Sequence, residues 1–313
     1  MSEATATAPA RTTARAPGAR RKKAGHRHGA AGFLFTAPFM VLFLGMFIAP
    51  LVYALYLSVY REQLVGGNEF VGLSNYTDGL KDPAFTHGVG RVGLFLLIQV
   101  PIMLILALVF ALIIDSGKVW LPKLYRVGFF VPYAVPTVIA ALMWGFLYGR
   151  DFGPFKDVAD AINVPPPNFL SEHTMLFSIA NVSTWTYTGY NMIILYAALR
   201  SIPSELYEAA AVDGAGAVRT AIHVKLPLLR PALLLCGIFS VIGSFQLFAE
   251  PQIFSTIAPQ VIGKAYTPNL YVYNLAFADQ RLNYAAALSF LLGAVVFVVS
   301  YLVMYASRRQ EAR

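Results

Sequence analysis

The chain has 313 residues, 57% of them hydrophobic and only 13% charged, far more apolar material than one water-soluble core usually holds. Its net charge of +8 does not indicate nucleic-acid binding, because the basic residues form no single amphipathic surface; most lie in an N-terminal stretch and in short segments between apolar runs, a pattern of membrane topology. The single cysteine, Cys236, stands in an apolar run, which excludes an internal disulfide and a metal site of spaced cysteines.

Residues 1–28 are rich in Ala, Arg, Thr and Pro and show no apolar period, so a disordered basic tail is expected there, with the membrane domain at 29–313. The Arg20-Arg21 pair runs into Lys22 and Lys23, not into the more apolar continuation of a twin-arginine signal. The apolar run that follows is too long for a signal peptide, whose core is about 7–15 residues, and is expected to remain as a first span.

Six runs contain no Asp, Glu, Lys or Arg: 33–60, 92–114, 127–149, 175–199, 231–249 and 284–307, each of 19 to 28 residues. At a rise of about 1.5 Å per residue, each can cross a hydrocarbon layer of about 30 Å as a helix. The expected fold class is all-α, an integral membrane protein of six transmembrane helices. Prolines lie inside the first run (Pro38, Pro50), the second (Pro101) and the third (Pro132, Pro136). Each removes a backbone donor and bends its helix, a defect that neighbouring helices compensate in a bilayer. Closely spaced, Pro132 and Pro136 are candidates for opening a path at mid-membrane, with a purely structural kink as the alternative.

Orientation follows from Lys and Arg near the span ends. The seven extramembrane segments hold 7, 3, 3, 2, 4, 2 and 3 of them in chain order, so the odd-numbered segments carry 17 against 7. Both termini are predicted to be cytoplasmic.

The segment at 201–227, between the fourth and fifth runs, is then cytoplasmic as well. Pro203 suits the first turn of a helix, and Glu205 and Glu208 stand near its positive end. Gly214, after Asp213, is a helix-ending position that tolerates positive φ. A second short helix is expected from about Ala215 to His223, ending before Leu226-Pro227. The local prediction is helix, turn, helix.

This segment reads Glu208-Ala209-Ala210, then Gly214, then Val224, then Leu226-Pro227. It resembles the signature of permease subunits of binding-protein-dependent ABC importers: Glu-Ala-Ala, three residues, Gly, nine residues, Ile or Val, one residue, Leu-Pro. Every spacing matches. Phe70-Val-Gly-Leu-Ser-Asn-Tyr76, Val131-Pro-Tyr-Ala-Val-Pro136 with Trp144, and the stretch from Gly189 to Pro203 look like the sugar-importing branch that includes maltose and glycerol-3-phosphate permeases. The chain departs from many relatives after the fifth run, where Phe245-Gln-Leu-Phe-Ala-Glu-Pro251 replaces a Phe-Asp pair and a glycine-rich turn. That variant looks closer to permeases for disaccharides and short plant-derived oligosaccharides. The resemblance implies a type I ABC importer permease fold, with a second permease subunit as heterodimer partner, two ABC ATPase subunits that bind ATP and Mg, and an extracytoplasmic sugar-binding protein. It also implies that Glu208, Ala209, Ala210, Asp213, Gly214, Val224, Leu226 and Pro227 couple the bundle to the ATPase.

The residues agree on the energy source. Gly117-Lys118 and Gly263-Lys264 lack the upstream glycine and following hydroxyl of a phosphate loop, so no cofactor is expected on this chain. The six runs hold no ionisable residue of the kind that ion coupling uses, which argues against a secondary carrier. For a substrate path, Asn181, Thr184, Trp185, Thr188 and Asn191 fall at spacings of three or four on one polar and aromatic face, with Ser240, Ser244 and Gln246 on the fifth run as candidates to complete it. Aromatic planes and amides suit a sugar, although such residues also join neighbouring helices, and Gly237, Ser240 and Ser244 fit small-residue packing. His87, His173 and His223 stand apart, and no catalytic constellation or metal motif is present. The function expected is import of a sugar, a di- or oligosaccharide, by an ABC permease that is not an enzyme. The alternatives are an ABC permease for a glycerol phosphate or polyol and, from other classes, an ion-coupled carrier and a polytopic membrane enzyme.

Overall fold

The computed structural model describes residues 27–63 and 67–311, with side chains placed over 33–63 and 67–306. The tail expected at 1–28 lies outside the described residues as far as position 26, and helix begins at Arg27. Helix α1 (Arg27–Phe43) passes through a π turn at Leu44–Ile48 into α2 (Ala49–Ser58). Pro50 explains the π turn, because it supplies no N–H for the carbonyl four residues back; the widened turn lets the Ala49 amide reach the Leu44 carbonyl instead.

The chain divides into two compact units, Met1–Val52 and Tyr53–Arg313. In the second unit, helix stops at Ser58 and a short antiparallel pair follows, β1 (Tyr60–Gln63) and β2 (Gly67–Phe70), with Tyr60 opposite Phe70. The apolar run alone carries helix on to Tyr60. What ends it earlier is Asn75, which is 1% exposed and donates to the Ser58 and Tyr60 carbonyls at 2.9 and 2.8 Å. Asn283 adds bonds to Leu57 and Tyr60 at 3.3 and 3.1 Å. Together they satisfy carbonyls that a helix end leaves open.

The remaining helices are α3 (Ser74–Lys81), α4 (Pro83–Asp115), α5 (Pro122–Ala134), α6 (Thr137–Leu147), α7 (Pro154–Ala161), α8 (Met175–Arg200), α9 (Ser204–Val212), α10 (Ala217–Thr220), α11 (Leu226–Phe245), α12 (Ala249–Ile257), α13 (Pro268–Tyr273) and α14 (Leu282–Glu311). Among the described residues, four stretches are long and apolar enough to cross a membrane: Phe33–Ser58, Pro83–Asp115, Ala217–Phe245 and Leu282–Ala306. The third apolar run is not one helix. Pro136 holds Val135 extended (φ −76°, ψ 125°), and α5 and α6 meet there at 94°, together counting as a possible fifth span. The fourth run, α8, has 26 residues, about 39 Å of helix, but its Asn, Ser and Thr side chains leave it less apolar than the four. Most of α8 faces protein: Met192, Leu195 and Leu199 pack with Ala107, Ala111 and Ile114 of α4 and with Leu229 and Cys236 of α11, while Leu97 and Ile105 of α4 are exposed at the outer surface.

The connections gather at two ends. Lys225 pairs with Asp115 at 2.6 Å, joining the segments after the second and fourth runs. At the other end Asp82 accepts from the Tyr271 and Tyr284 hydroxyls at 2.8 and 2.9 Å, and Arg91 donates to the Tyr266 carbonyl at 2.7 Å. Partial burial works against charge on Asp82, yet these phenols and the amides of Ala84 and Phe85 outweigh it and hold its carboxyl below the usual range. The segments after the second and fourth runs thus meet each other, as do those after the first and fifth.

One contact sets the spacing of α5 and α8. A Cβ on Gly189 would lie 1.7 Å from the Phe129 carbonyl oxygen and 2.4 Å from its carbon, so only glycine lets the two backbones meet. Gly237, by contrast, has nothing within 4 Å of the corresponding point, so it is no packing glycine among the described residues. Gly189→Val should destabilise the bundle by about 3 kcal/mol, the upper range for overpacking, and Gly237→Ala should not. Thermal unfolding in detergent would show the first as a lowered Tm; equal Tm values would refute the close crossing.

Candidate functional site

Two regions carry the functional candidates. The first is the helical hairpin at 201–227. Pro203 is the residue capping α9 rather than its first turn, with Ser204 as the first helical residue. At the other end Gly214 has φ +73°; the Ala215 amide bonds to the Ala210 carbonyl at 2.9 Å and the Gly214 amide to the Ala211 carbonyl at 3.0 Å. This paired closure is a Schellman motif, so the glycine is needed for its backbone angle, and a Cβ there would meet open space. Glu208, Ala209, Asp213 and Gly214 are exposed and Ala210 is buried.

The second hairpin helix does not end before Leu226-Pro227. Helix α10 passes through a π turn at Ala221–Lys225 into α11, and Ala217–Phe245 is one continuous stretch. Pro227 stands two residues beyond its π turn, as Pro50 does. The Leu226 amide bonds to the Ala221 carbonyl, so the wider turn absorbs the missing donor without stopping the helix. Val224 and Leu226 are half-buried there and Pro227 is exposed. The hairpin's second arm is therefore the first part of the fifth span.

The second region is a cavity of about 470 Å³ halfway along α4 and α8, beside the break between α5 and α6. Four of the sequence candidates line it: Asn191, Ser240, Ser244 and Gln246. The others lie elsewhere. Asn181 donates to the Tyr148 hydroxyl at 2.7 Å and so joins two helices, Trp185 packs edge-on against Trp144, the Thr188 hydroxyl bonds back to the Thr184 carbonyl, and neither threonine is in the wall. The face of α8 that does line the cavity is Ser183, Tyr187, Tyr190 and Asn191, about a third of a turn from the expected one at 100° per residue.

The wall also holds residues that the apolar runs did not single out. Gln99 and Met103 come from α4, Tyr133 and Thr137 from the two sides of the proline break. Tyr133 stacks on Tyr190, with ring centres 4.7 Å apart. Glu250, the second residue of α12, is 4% exposed and accepts from Ser183 Oγ at 3.4 Å. It lies one residue past the end of the fifth apolar run, so the absence of ionisable groups from the runs does not extend to the cavity. Along α11, Ser240 and Ser244 bond back to the carbonyls of Cys236 and Ser240 at 2.7 and 2.8 Å. That satisfies their protons and leaves oxygen lone pairs toward the cavity.

Residues 84–312 match the family described as binding-protein-dependent transport system inner membrane component. The chain belongs to this family. It is 31% identical over 280 residues to the arabinooligosaccharides transport system permease protein AraP of Bacillus subtilis, covering 87% of this chain and 86% of that one. It is also 31% identical over 286 residues to the lactose transport system permease protein LacF of Rhizobium radiobacter, covering 90% and 95%. The crystal structure of a bacterial ABC transporter involved in the import of the acidic polysaccharide alginate shares the fold, with TM-score 0.78 at 18% identity over 90% of this chain and 96% of that chain. As an inner membrane component of a binding-protein-dependent system, the chain works with a binding protein and is a multi-pass membrane protein of the ABC permease fold.

The backbone angle at Gly214 is open to direct test. Gly214→Ala forces a side chain into the left-handed region at about 1–2 kcal/mol, whereas Gly216, at φ −68° with open space around it, should accept alanine freely. Amide exchange across 209–220 should rise about fivefold to thirtyfold in the first variant, taking that cost as a local opening energy. No rise would show that the turn does not depend on the glycine.

Proposed function

We propose that this family member is the permease of an ABC importer for a di- or oligosaccharide, with both termini cytoplasmic. The observation that carries the saccharide reading is the composition of the cavity wall: three phenol rings, Tyr133, Tyr187 and Tyr190, with two amides, Gln99 and Asn191, and the hydroxyls of Ser183 and Ser244. Flat aromatic faces cover the apolar side of a sugar ring while amides and hydroxyls meet its hydroxyls. A volume of about 470 Å³ lies within the roughly 300–1,000 Å³ of small-molecule sites. The names of the AraP and LacF relatives point the same way. The chain works with a second permease, with two ATPase subunits that carry the ATP and Mg, and with an extracytoplasmic binding protein that delivers the sugar.

The hairpin is the coupling element in this reading. Ala209 and Ala210 let a partner surface approach the backbone, Glu208 offers a charge to it, and Gly214 sets the direction of the second arm. ATPase closure moves the hairpin, and the bundle changes the side its cavity faces. Glu250 favours one competing reading, because a buried carboxyl in a transport cavity is also what an ion-coupled carrier uses.

Co-reconstitution in liposomes with the second permease, the ATPase and the binding protein distinguishes them. Labelled arabinotriose or lactose should enter only with ATP inside, and uptake without any ATPase would replace this reading by the carrier. Glu208→Ala, Gly214→Asp and Tyr187→Ala should each lower uptake about tenfold or more, a loss of about 1.4 kcal/mol of coupling or binding. Full uptake by Glu208→Ala and Gly214→Asp would remove the coupling role. In a Cys236→Ala background, Asn163→Cys should react with an impermeant maleimide from outside and Ala215→Cys should not; the opposite pattern would invert the topology.

A further inference from the structure

The strongest unexplained feature is the ion pair between Asp115 and Lys225. Their atoms are 2.6 Å apart, and the side chains are 6% and 15% exposed. Asp115 is the last residue of α4, where the helix dipole presents negative charge and disfavours a carboxylate. A buried pair of this kind adds little to stability compared with apolar packing; its best-attested use is to fix how two elements register. Lys225 is engaged twice. It is the last residue of the π turn that joins the hairpin to α11, and its ammonium lies 4.9 Å from the ring centre of Tyr207. Tyr207 precedes Glu208 on α9, and its hydroxyl donates to the Leu199 carbonyl in the last turn of α8 at 3.4 Å. One ammonium therefore ties both arms of the hairpin to the end of α4.

Helix α4 leads from this point to the cavity. It is unbroken from Asp115 back to Met103, Gln99 and Phe95, which line the wall, and Met103 is about 18 Å away at 1.5 Å per residue. Below the cavity, α4 is packed to α8 and α11 through Ala107, Ala111 and Ile114. A displacement of the hairpin that pulls on Lys225 thus moves the stretch of α4 from Asp115 to Met103, which has no proline in it and ends in the cavity wall; Pro101 lies beyond it, before Gln99 and Phe95.

We propose that Asp115 and Lys225, with Tyr207, are positioning residues that transmit the movement of the hairpin to α4 and so to the cavity. This inference rests on the coupling role argued above for the hairpin. Without the pair, the hairpin still engages the ATPase, but α4 no longer follows it.

The test uses the assembled transporter with a reporter, Ser240→Cys in a Cys236→Ala background, whose maleimide labelling reads access to the cavity and requires no sugar. In the parent complex, trapping with ATP and vanadate should change the labelling rate about fivefold or more, the lower end of ordinary coupling. With Asp115→Asn or Lys225→Met the change should vanish while the complex still assembles and hydrolyses ATP. The exchange D115K/K225D should restore it in part, because the pair reforms and the tyrosine contact does not. Should the neutralised variants fail to assemble, Tyr207→Leu, which leaves the ion pair in place, carries the test and should weaken the response. An undiminished response in the neutralised variants, no recovery in the assembled exchange variant, or an undiminished response in Tyr207→Leu would each overturn the inference. A parent with no ATP-dependent change would instead defeat the coupling reading itself.

Discussion

Inside hydrocarbon a backbone amide or carbonyl without a partner costs several kcal/mol, and the layout of this chain follows from where proline withdraws a donor. Pro50 and Pro227 are absorbed in the same way, by a π turn ending two residues earlier, so each helix continues. Pro136 is handled differently. The residue before it is extended and the helix breaks, with α5 and α6 turning through 94°. Proline alone does not explain every π turn, since that at Asn274–Ala278 precedes Gln280. Where the break occurs, Tyr133 and Thr137 flank it and both line the cavity. An irregular backbone at this depth is tolerated where it borders a cavity or is buried in protein, so the same proline that interrupts the span also places the opening.

Much of this was readable from the residues, and the exceptions have physical causes. Charge-free runs located the helices because lipid imposes a length and an apolarity on them. In the third run the Pro132 and Pro136 pair marked the place of the bend, but an X-Pro step leaves composition unchanged, so the run did not show that the bend is a 94° break between two helices. The helix-turn-helix at 201–227 was legible from Asp213-Gly214, where only a left-handed residue closes the turn. Its second arm was misread because Pro227 was taken as a stop, and a π turn leaves no compositional trace. The strand pair at 60–70 was missed because Tyr60 continues an apolar run, and the asparagines that end the helix, Asn75 and Asn283, lie far along the chain.

The cavity was the hardest part to read, and α8 shows why. Its polar residues repeat at three and four along one face, yet the Asn181 amide is engaged with Tyr148 and the Thr188 hydroxyl with the preceding turn. The face that borders the cavity is built from Tyr187 and Tyr190, which belong equally to an apolar helix surface. Polarity in a transmembrane helix marks hydrogen bonding to something, and helix neighbours are the commoner something. Glu250 escaped for a simpler reason: it begins a new helix just past the apolar run, although folding brings it back against Ser183.

The hairpin and the cavity lie far apart along α4, and a signal between them needs a body that does not dissipate it. Apolar packing between helices offers no directional partner, so it does not fix a register as a paired buried charge does. Helix α4 is a single element that reaches both places, and it is held to its neighbours by small residues, Ala107 and Ala111, that leave little room for relative movement. At its end a buried carboxylate stands where the helix dipole opposes it, so Asp115 keeps its place only with an ammonium beside it. That requirement makes the junction specific: α4 and the hairpin cannot separate without stranding a charge, and a stranded buried charge is far more costly than a lost apolar contact. The helix must therefore move with the hairpin or hold it still.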